Sequence, residues 1–234
     1  MNNLFILDGQ NDNVLAHINK KHILFNEHEK SLENTLETFH FRALGDMRYA
    51  EYLGKRNGLI VPGEDGELLE FRIFESDKYR DSEGLKVEVY SLATYLDLKT
   101  QKIFDPQKTS SVTARQHAIT ALDGTEWQVG NVDFKGVRTL DFENPFNSYE
   151  YLKRIARDFE LELRFYVTTD GQKVTGRYVD LVERIGEFRG RTVEFGRDLQ
   201  RIERRENTND VVTALWVYGP ERENGTRLKV LVED

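Results

Sequence analysis

The 234-residue sequence contains no cysteine, and this absence excludes disulfide frameworks, thiolate zinc sites, iron–sulfur clusters and cysteine nucleophiles. It also lacks any run of about 18 apolar residues, the length that a membrane-spanning helix requires. The first apolar stretch, Leu4–Leu7, is short and follows no basic segment. We therefore expect Leu4–Leu7 to form an edge strand, not part of a signal peptide.

An excess of basic residues is missing as well. The chain has 33 Lys and Arg against 41 Asp and Glu, a formal net charge of -8. This balance argues against a general binder of DNA or membrane surfaces, because such proteins need a basic footprint. Aromatic residues are plentiful, with 14 Phe, 10 Tyr and 2 Trp. They supply enough apolar area for a folded core, in one large domain or two small ones.

Motifs for catalysis or metal binding do not occur. We find no G-x-S-x-G, S-x-x-K or GxxxxGK[ST] pattern, and Asp8–Asn13 lacks the glycine and glutamate of an EF-hand loop, so it predicts a turn. The five histidines match no metal-binding spacing: we expect His17, His22 and His28 on the polar surface, His40 in a strand, and His117 in a helix without a ligand partner. The sequence predicts no catalytic residue, no cofactor and no metal ligand.

The first hundred residues have the alternating pattern of half-buried strands. Apolar residues at every second position predict strands around Leu69–Ile73 and Leu85–Val89, with the polar segment Ser76–Gly84 connecting them. Leu4–Leu7 and Val14–Ile18 flank a polar turn and predict another hairpin. This part of the chain is therefore expected to be β-structure.

The middle of the chain changes to helical signals. Thr113 and Gln116 form a capping-box pattern before a helix that should end near Gly124. Asn147 and Glu150 open a second helix, whose apolar face is Tyr149, Leu152, Ile155, Ala156 and Phe159. Strands around 161–167 and 175–182 follow it.

The end of the chain returns to β-patterns. Val193 and Phe195 alternate with polar residues, and Val211–Tyr218 is apolar on both faces. The charged run Arg197–Glu206 mixes both signs and predicts a solvated, salt-bridged face. The fold class is therefore α+β and β-rich: residues 1–100 plus 195–234 form a β-domain, interrupted by an inserted mixed α/β domain at residues 101–194.

Six blocks of this sequence follow the order seen in one family. They are Ala121–Gly130, Ser148–Ala156, Leu161–Phe165, Gly176–Leu181, Val193–Leu199 and Val212–Pro220. The chain resembles the N-terminal hub region of the tail-associated lysin, or prophage endopeptidase tail, proteins of siphophages that infect Gram-positive bacteria. The resemblance covers residues 85–234 well and residues 10–80 loosely.

The resemblance implies a structural subunit of the phage tail tip. In that family, β-barrel-like domains from three copies form a baseplate-hub ring that continues the tail tube, and lytic activity lies in a C-terminal extension. We therefore expect a non-enzymatic N-terminal fragment that forms a homotrimer and binds the distal tail protein and other tail-tip proteins. DNA would pass without specific binding, and no membrane partner is expected. The protein would be made in the host cytoplasm and located in the virion.

Two other functions stay open from the sequence: a receptor- or carbohydrate-binding module of the tail, and a cell-wall hydrolase that uses a pair of its many carboxylates. For the homotrimer, the candidate subunit contact is one face of an apolar strand. Its residues are Val212, Ala214, Trp216 and Tyr218. A central strand of an ordinary sandwich explains the same pattern equally well.

Overall fold

The computed structural model describes residues 3–31, 36–54, 56–63, 66–186, 214–221 and 227–233. In the last two ranges it describes the backbone, with side chains only for Lys229 and Val230. The chain divides into two compact units, Met1–Glu187 and Phe188–Asp234. The described part is β-rich with a smaller helical content, as the sequence predicts.

The described residues of the first unit begin with seven strands. They are β1 (Leu4–Leu7), β2 (Val14–Ile18), β3 (Ile23–Ser31), β4 (Leu36–Leu44), β5 (Gly58–Pro62), β6 (Leu68–Asp81) and β7 (Gly84–Ala93). The mixed part follows with α1 (Leu98–Gln101), β8 (Ile103–Phe104), β9 (Gln107–Thr113), α2 (Ala114–Leu122), β10 (Trp127–Val132), β11 (Val137–Phe142), β12 (Phe146–Asn147), α3 (Ser148–Phe159), β13 (Glu162–Thr169) and β14 (Val174–Val182).

A ten-stranded sheet joins both parts of this unit. Its main path is β10-β14-β13-β6-β5-β1-β2, and a branch runs from β6 through β7 and β4 to β3. The pair β10–β14 is parallel, and the other pairs in this sheet are antiparallel. The strands of the mixed part join the others where Val167 of β13 pairs with Leu68 of β6.

The seven-stranded path β2-β1-β5-β6-β7-β4-β3 is curled into a barrel-like shape. β2 and β3 lie at its two ends, yet only residues 19–22 connect Ile18 to Ile23. Six strand spacings would span about 29 Å in a flat sheet, whereas five residue steps reach at most about 19 Å. The short connection therefore requires the sheet to curl until its ends approach each other.

The core fills the inside of this curled sheet. The alternating side chains of β4, β6 and β7 point inward, and the largest of them are completely buried: Phe39, Phe41, Phe71, Ile73, Val87 and Val89. Leu4 and Ile6 of β1 join the same cluster. Period-2 patterning of these strands is thus the direct cause of the core.

Both predicted helices form with the predicted caps. Thr113 caps α2 and Asn147 caps α3, each with a complete capping box to Gln116 and Glu150. The predicted apolar face of α3 is buried, and Gly124 has the left-handed φ of 79° expected just beyond a helix end. α2 and α3 pack on each other, α2 against β10 and α3 against β13.

Two local predictions are wrong. Leu4–Leu7 is not an edge strand, because β1 pairs with β2 on one side and with β5 on the other. The segment predicted as the connection, Ser76–Gly84, is mostly strand: β6 continues to Asp81 and pairs with β7 up to Gly84. Its polar composition reflects exposure to solvent, not a break in the ladder.

The second unit contains the antiparallel hairpin of β15 (Ala214–Glu221) and β16 (Arg227–Glu233). The strand pattern predicted around Val193 and the charged run Arg197–Glu206 lie outside the described residues. The division into residues 1–100 plus 195–234 and residues 101–194 therefore stays a prediction.

Candidate functional site

The candidate site is a four-stranded part of the sheet that extends beyond β5. β5 pairs with Leu68–Arg72 of β6, whereas β7 pairs with β6 as far as Asp81. We call β3, β4, β7 and residues 74–81 of β6 the outer sheet. In the described part of the chain, β3 pairs only with β4, so its other backbone edge is unpaired.

The outer sheet has two different faces. Its inner face includes Phe39, Phe41, Val87 and Val89, which the protein's own core covers completely. We call the opposite face, which contains Glu27, the open face. The pairs Glu27–His40, His40–Tyr90 and Tyr90–Glu75 place side chains from all four strands on it at one level. It is the face that remains available for contact with another molecule.

The open face is acidic. Two fixed cations, Arg42 and Lys86, share it with a larger set of carboxylates placed there by the strand register: Glu27, Glu29, Glu75, Asp77, Asp81 and Glu88. All of these acids except Glu88 belong to exposed residues. The resulting surface repels polyanions, because the carboxylates outnumber the cations threefold.

The two cations are held by carboxylates of the same face. Arg42 donates to Glu88 at 3.0 Å, and His40 Nε2 lies 2.9 Å from the same oxygen. Burial by itself raises the pKa of Glu88, but hydrogen bonds from Arg42 and His40 outweigh it and lower the pKa. Lys86 donates to Asp81 at 2.7 Å. Neither cation is free to bind a phosphate.

Aromatic rings cross the open face from strand to strand. The Phe25 ring lies 5.1 Å from His40, His40 stacks on Tyr90 at 4.1 Å, and Phe74 lies 6.4 Å from Tyr90. Phe25 and Phe74 at the two ends are 40% and 46% exposed. Cross-strand aromatic pairs of this kind stabilise a sheet. They contribute here because no other part of the described chain packs on the open face of the outer sheet.

Glu37 lies on the inner face and is the best-placed candidate for acid chemistry. Its carboxylate accepts from the Tyr95 hydroxyl at 2.7 Å and lies 2.8 Å from His28 Nε2, next to a cavity of about 280 Å³. Burial alone raises the pKa of Glu37, but His28, Lys30 and Tyr95 outweigh this effect and lower it. Glu37 is therefore ionised at neutral pH and cannot serve as a proton donor.

A second buried cluster is centred on Arg177 of β14. Its guanidinium donates to Glu70 of β6 at 2.6 and 2.8 Å and to Asp12 in the β1–β2 turn at 2.7 and 2.9 Å. Burial lowers the pKa of Arg177, yet the hydrogen bonds to Asp12 and Glu70 outweigh it, so the pKa is raised. Arg177 is a permanent cation that ties the mixed part to the β-strands.

The predicted subunit-contact residues fall in the second unit. Val212 lies outside the described residues, while Ala214, Trp216 and Tyr218 lie in β15 and pair with Glu233, Leu231 and Lys229 of β16. The side chains of these three residues are outside the described part, so the predicted contact stays a prediction.

The histidines are mostly where the sequence places them. His17 and His28 are exposed, His22 is half-buried and His40 lies in β4. The contact between His28 and Glu37 was not predictable, since the two residues lie on different strands with no local motif linking them. Among the described residues, no group of three or more His, Asp or Glu side chains could hold a metal ion. None of the helices in the described ranges is long and apolar enough to cross a membrane.

Similarity to solved structures defines the class of fold. The chain matches prophage MuSo2 43 kDa tail protein from Shewanella oneidensis with a TM-score of 0.60 and 13% identity, covering 99% of this chain and 69% of that one. It matches prophage tail protein gp18 from Listeria monocytogenes EGD-e with a TM-score of 0.56 and 12% identity, covering 99% and 67%. A tail protein from Neisseria meningitidis MC58 matches with a TM-score of 0.54, 12% identity and coverage of 99% and 67%. The fold is that of prophage tail proteins.

The sequence itself adds a family match. Residues 101–181 match the prophage endopeptidase tail domain. The resemblance to prophage endopeptidase tail proteins is therefore confirmed, while the Gram-positive host stays a prediction. No curated protein matches the chain.

Proposed function

We propose that this chain is a structural subunit of a phage tail-tip hub. Three copies form a ring that continues the tail tube and anchors a C-terminal lytic or receptor-binding part. The distal tail protein and other tail-tip proteins are its partners, and DNA passes through the ring without specific binding. The protein is made in the host cytoplasm and becomes part of the virion.

The acidic open face is the observation that carries this proposal. On the inner face of the outer sheet, Phe39, Phe41, Val87 and Val89 are already buried in the protein's own core. In a ring, the open face is the side of this sheet that can line the channel. Its excess of carboxylates keeps the DNA backbone from binding, since binding requires cations that neutralise phosphates.

The fold supports the ring in two further ways. The curled β-sheet gives a rigid wall, and the unpaired edge of β3 offers a border that a neighbouring subunit can cover. The fold is shared with the three matched tail proteins at TM-scores of 0.54 to 0.60. This chain spans about two thirds of the length of each matched protein, and the anchored C-terminal part is proposed by analogy with the family.

We propose no catalytic role for this chain. The buried carboxylate beside the cavity of about 280 Å³, Glu37, has a lowered pKa and three partners that hold it ionised. It therefore lacks the raised pKa of a general acid in a hydrolase. Clearing of purified peptidoglycan by the protein would establish the enzyme function instead.

Reversal of charge on the open face tests the hub proposal. In a phage that carries this protein, Glu27→Lys, Glu75→Lys and Asp77→Lys are combined, and DNA release from purified particles is measured at several salt concentrations. We expect tails of normal appearance and slower release, most strongly at low salt, because the new cations bind phosphates.

A matched control reverses three exposed carboxylates elsewhere: Glu51→Lys, Asp105→Lys and Glu143→Lys. This variant should release DNA at the parent rate. Equal release by the parent and the open-face variant would contradict the channel lining. Absence of the protein from the tail tip in immunogold electron microscopy would contradict the hub location itself.

A further inference from the structure

His117 occupies an unusual place in α2. Its side chain is buried, with 1% of the residue exposed, and Nδ1 lies 2.9 Å from the Tyr151 hydroxyl of α3. Nε2 has no hydrogen-bond partner among the described residues. The imidazole ring lies 5.8 Å from the Tyr151 ring and 6.0 Å from the Phe159 ring. A neutral imidazole suits these apolar surroundings, whereas a charged one brings an unneutralised positive charge into them.

The rest of the buried face of α2 contributes little apolar area. It consists of Ala114, Ala118, Ala121 and Leu122. Three alanines allow close packing on α3, but each removes only one methyl group from water. The apolar area that α2 buries is therefore too small to offset the free-energy cost of a buried charge at His117.

The charged groups around His117 do not compensate a positive charge. From β11, Arg138 places its guanidinium over the Phe159 ring at 5.8 Å and has the same sign as a protonated imidazole. Asp141 of β11 pairs with Lys108 of β9.

The remaining neighbours offer no counterion either. On α3, Arg154 pairs with Asp158. On α2 itself, Arg115 donates to the carbonyl of Gly130. β10, which also packs on α2, contains no ionisable side chain.

We infer that His117 is an acid-sensitive latch, which holds α2 against α3 while its imidazole is neutral and releases α2 when the imidazole is protonated. Release uncovers the apolar side of α3 at Tyr151 and Phe159. The latch lies within residues 101–181 and does not depend on the hub ring or on the open face.

The direction of the pH response follows from the linkage. Burial lowers the pKa of His117 from its ordinary value of 6.5, and a hydrogen bond with the backbone of Arg138 acts in the opposite direction. The released state takes up the proton more readily than the closed state. The latch is therefore closed above about pH 6.5 and opens as the pH falls through the lowered pKa.

Hydrogen exchange of the α2 amides tests the latch. Protection is measured from about pH 7.5 to about pH 5 and corrected for the intrinsic exchange rate. We expect the parent protein to lose at least about tenfold in protection of residues 114–122 on acidification, while β4 and β7 keep theirs. His117→Gln stays neutral and should keep its protection. His17→Gln alters an exposed histidine of β2 and should respond like the parent.

A loss of α2 protection in His117→Gln at the same pH as in the parent would overturn the proposal. If His117→Gln does not fold at neutral pH, histidine ring NMR of the parent decides the matter. The His117 signal should stay that of a neutral imidazole until α2 opens. Titration of this signal near pH 6.5 with α2 still protected would overturn the latch.

Discussion

Arg177 on β14 donates two hydrogen bonds to the carboxylate of Glu70 on β6, across 107 positions of sequence. Both side chains are buried, with 9% and 4% of their surface exposed. The pair holds the mixed part of the first unit against the barrel-like strands, and Asp12 in the β1–β2 turn completes it. A buried ion pair therefore links β14 to β6, close to the point where β13 pairs with β6.

Replacement of Arg177 by methionine should destabilise the protein by about 3–5 kcal/mol, because Glu70 is left as an unpaired buried charge. Urea unfolding followed by circular dichroism measures this free energy. Glu70→Gln in the Arg177→Met background should recover part of the loss. Arg157→Met is the control, since Arg157 is 69% exposed and should behave like the parent. If Arg177→Met lowers the free energy of unfolding no more than Arg157→Met does, the ion pair between Arg177 and Glu70 does not stabilise the fold.

Glu37→Gln should weaken the dependence of the free energy of unfolding on pH in the acidic range. Folding lowers the pKa of Glu37 from 4.5, so the unfolded chain takes up this proton first. The contribution is present above about pH 4.5 and is lost as the pH falls through the lowered pKa. The variant should be about 1–3 kcal/mol less stable at neutral pH, and the gap should narrow on acidification. Urea midpoints over a pH series measure it, with exposed Glu29→Gln on the neighbouring strand β3 as the control. A constant gap would show that the charge of Glu37 is not responsible.

Loss of either helix cap should cost about 1 kcal/mol of unfolding free energy. Thr113→Ala and Asn147→Ala each remove the side-chain oxygen that accepts from the third residue of the helix. Thermal and urea unfolding measure the loss, with Lys135→Ala at an exposed position as the control. Stabilities equal to that of the control would mean that the capping boxes do not form in solution.

The proposed trimer should depend on protein concentration, because the association of separate subunits follows mass action. Light scattering at several concentrations should show a rising mass for the parent, and Trp216→Glu should prevent the rise. A parent that stays monomeric at the highest concentration would contradict a trimer formed by this chain alone. Unfolding of Trp216→Glu would instead place Trp216 in the core.

Local features of the fold were predictable from the sequence. Thr113 and Asn147 predict the starts of their helices, since an N-cap residue and the third residue of the helix that it caps are close in the sequence. The periodic apolar residues of α3 predict its buried face for the same reason. The β6–β7 turn was predicted too early, because solvent exposure of residues 76–81 resembles a loop in composition.

The family resemblance was also within reach of the sequence, and residues 101–181 bear it out. By contrast, the acidic open face was not predictable. It depends on which residues of β3, β4, β6 and β7 share a level, and a shift of one residue in any register would turn those side chains to the other face.

The sequence by itself determined the β-rich class, the two capped helices, the hairpin of β1 and β2, and the resemblance to prophage endopeptidase tail proteins. Only the tertiary structure decided that β1 lies inside the sheet, that the sheet curls, and that Arg177 meets Glu70 and His28 meets Glu37. The physical reason is range. Caps and periodicity act within a few residues, whereas strand order and ion pairs between distant segments depend on how the whole chain closes around one core.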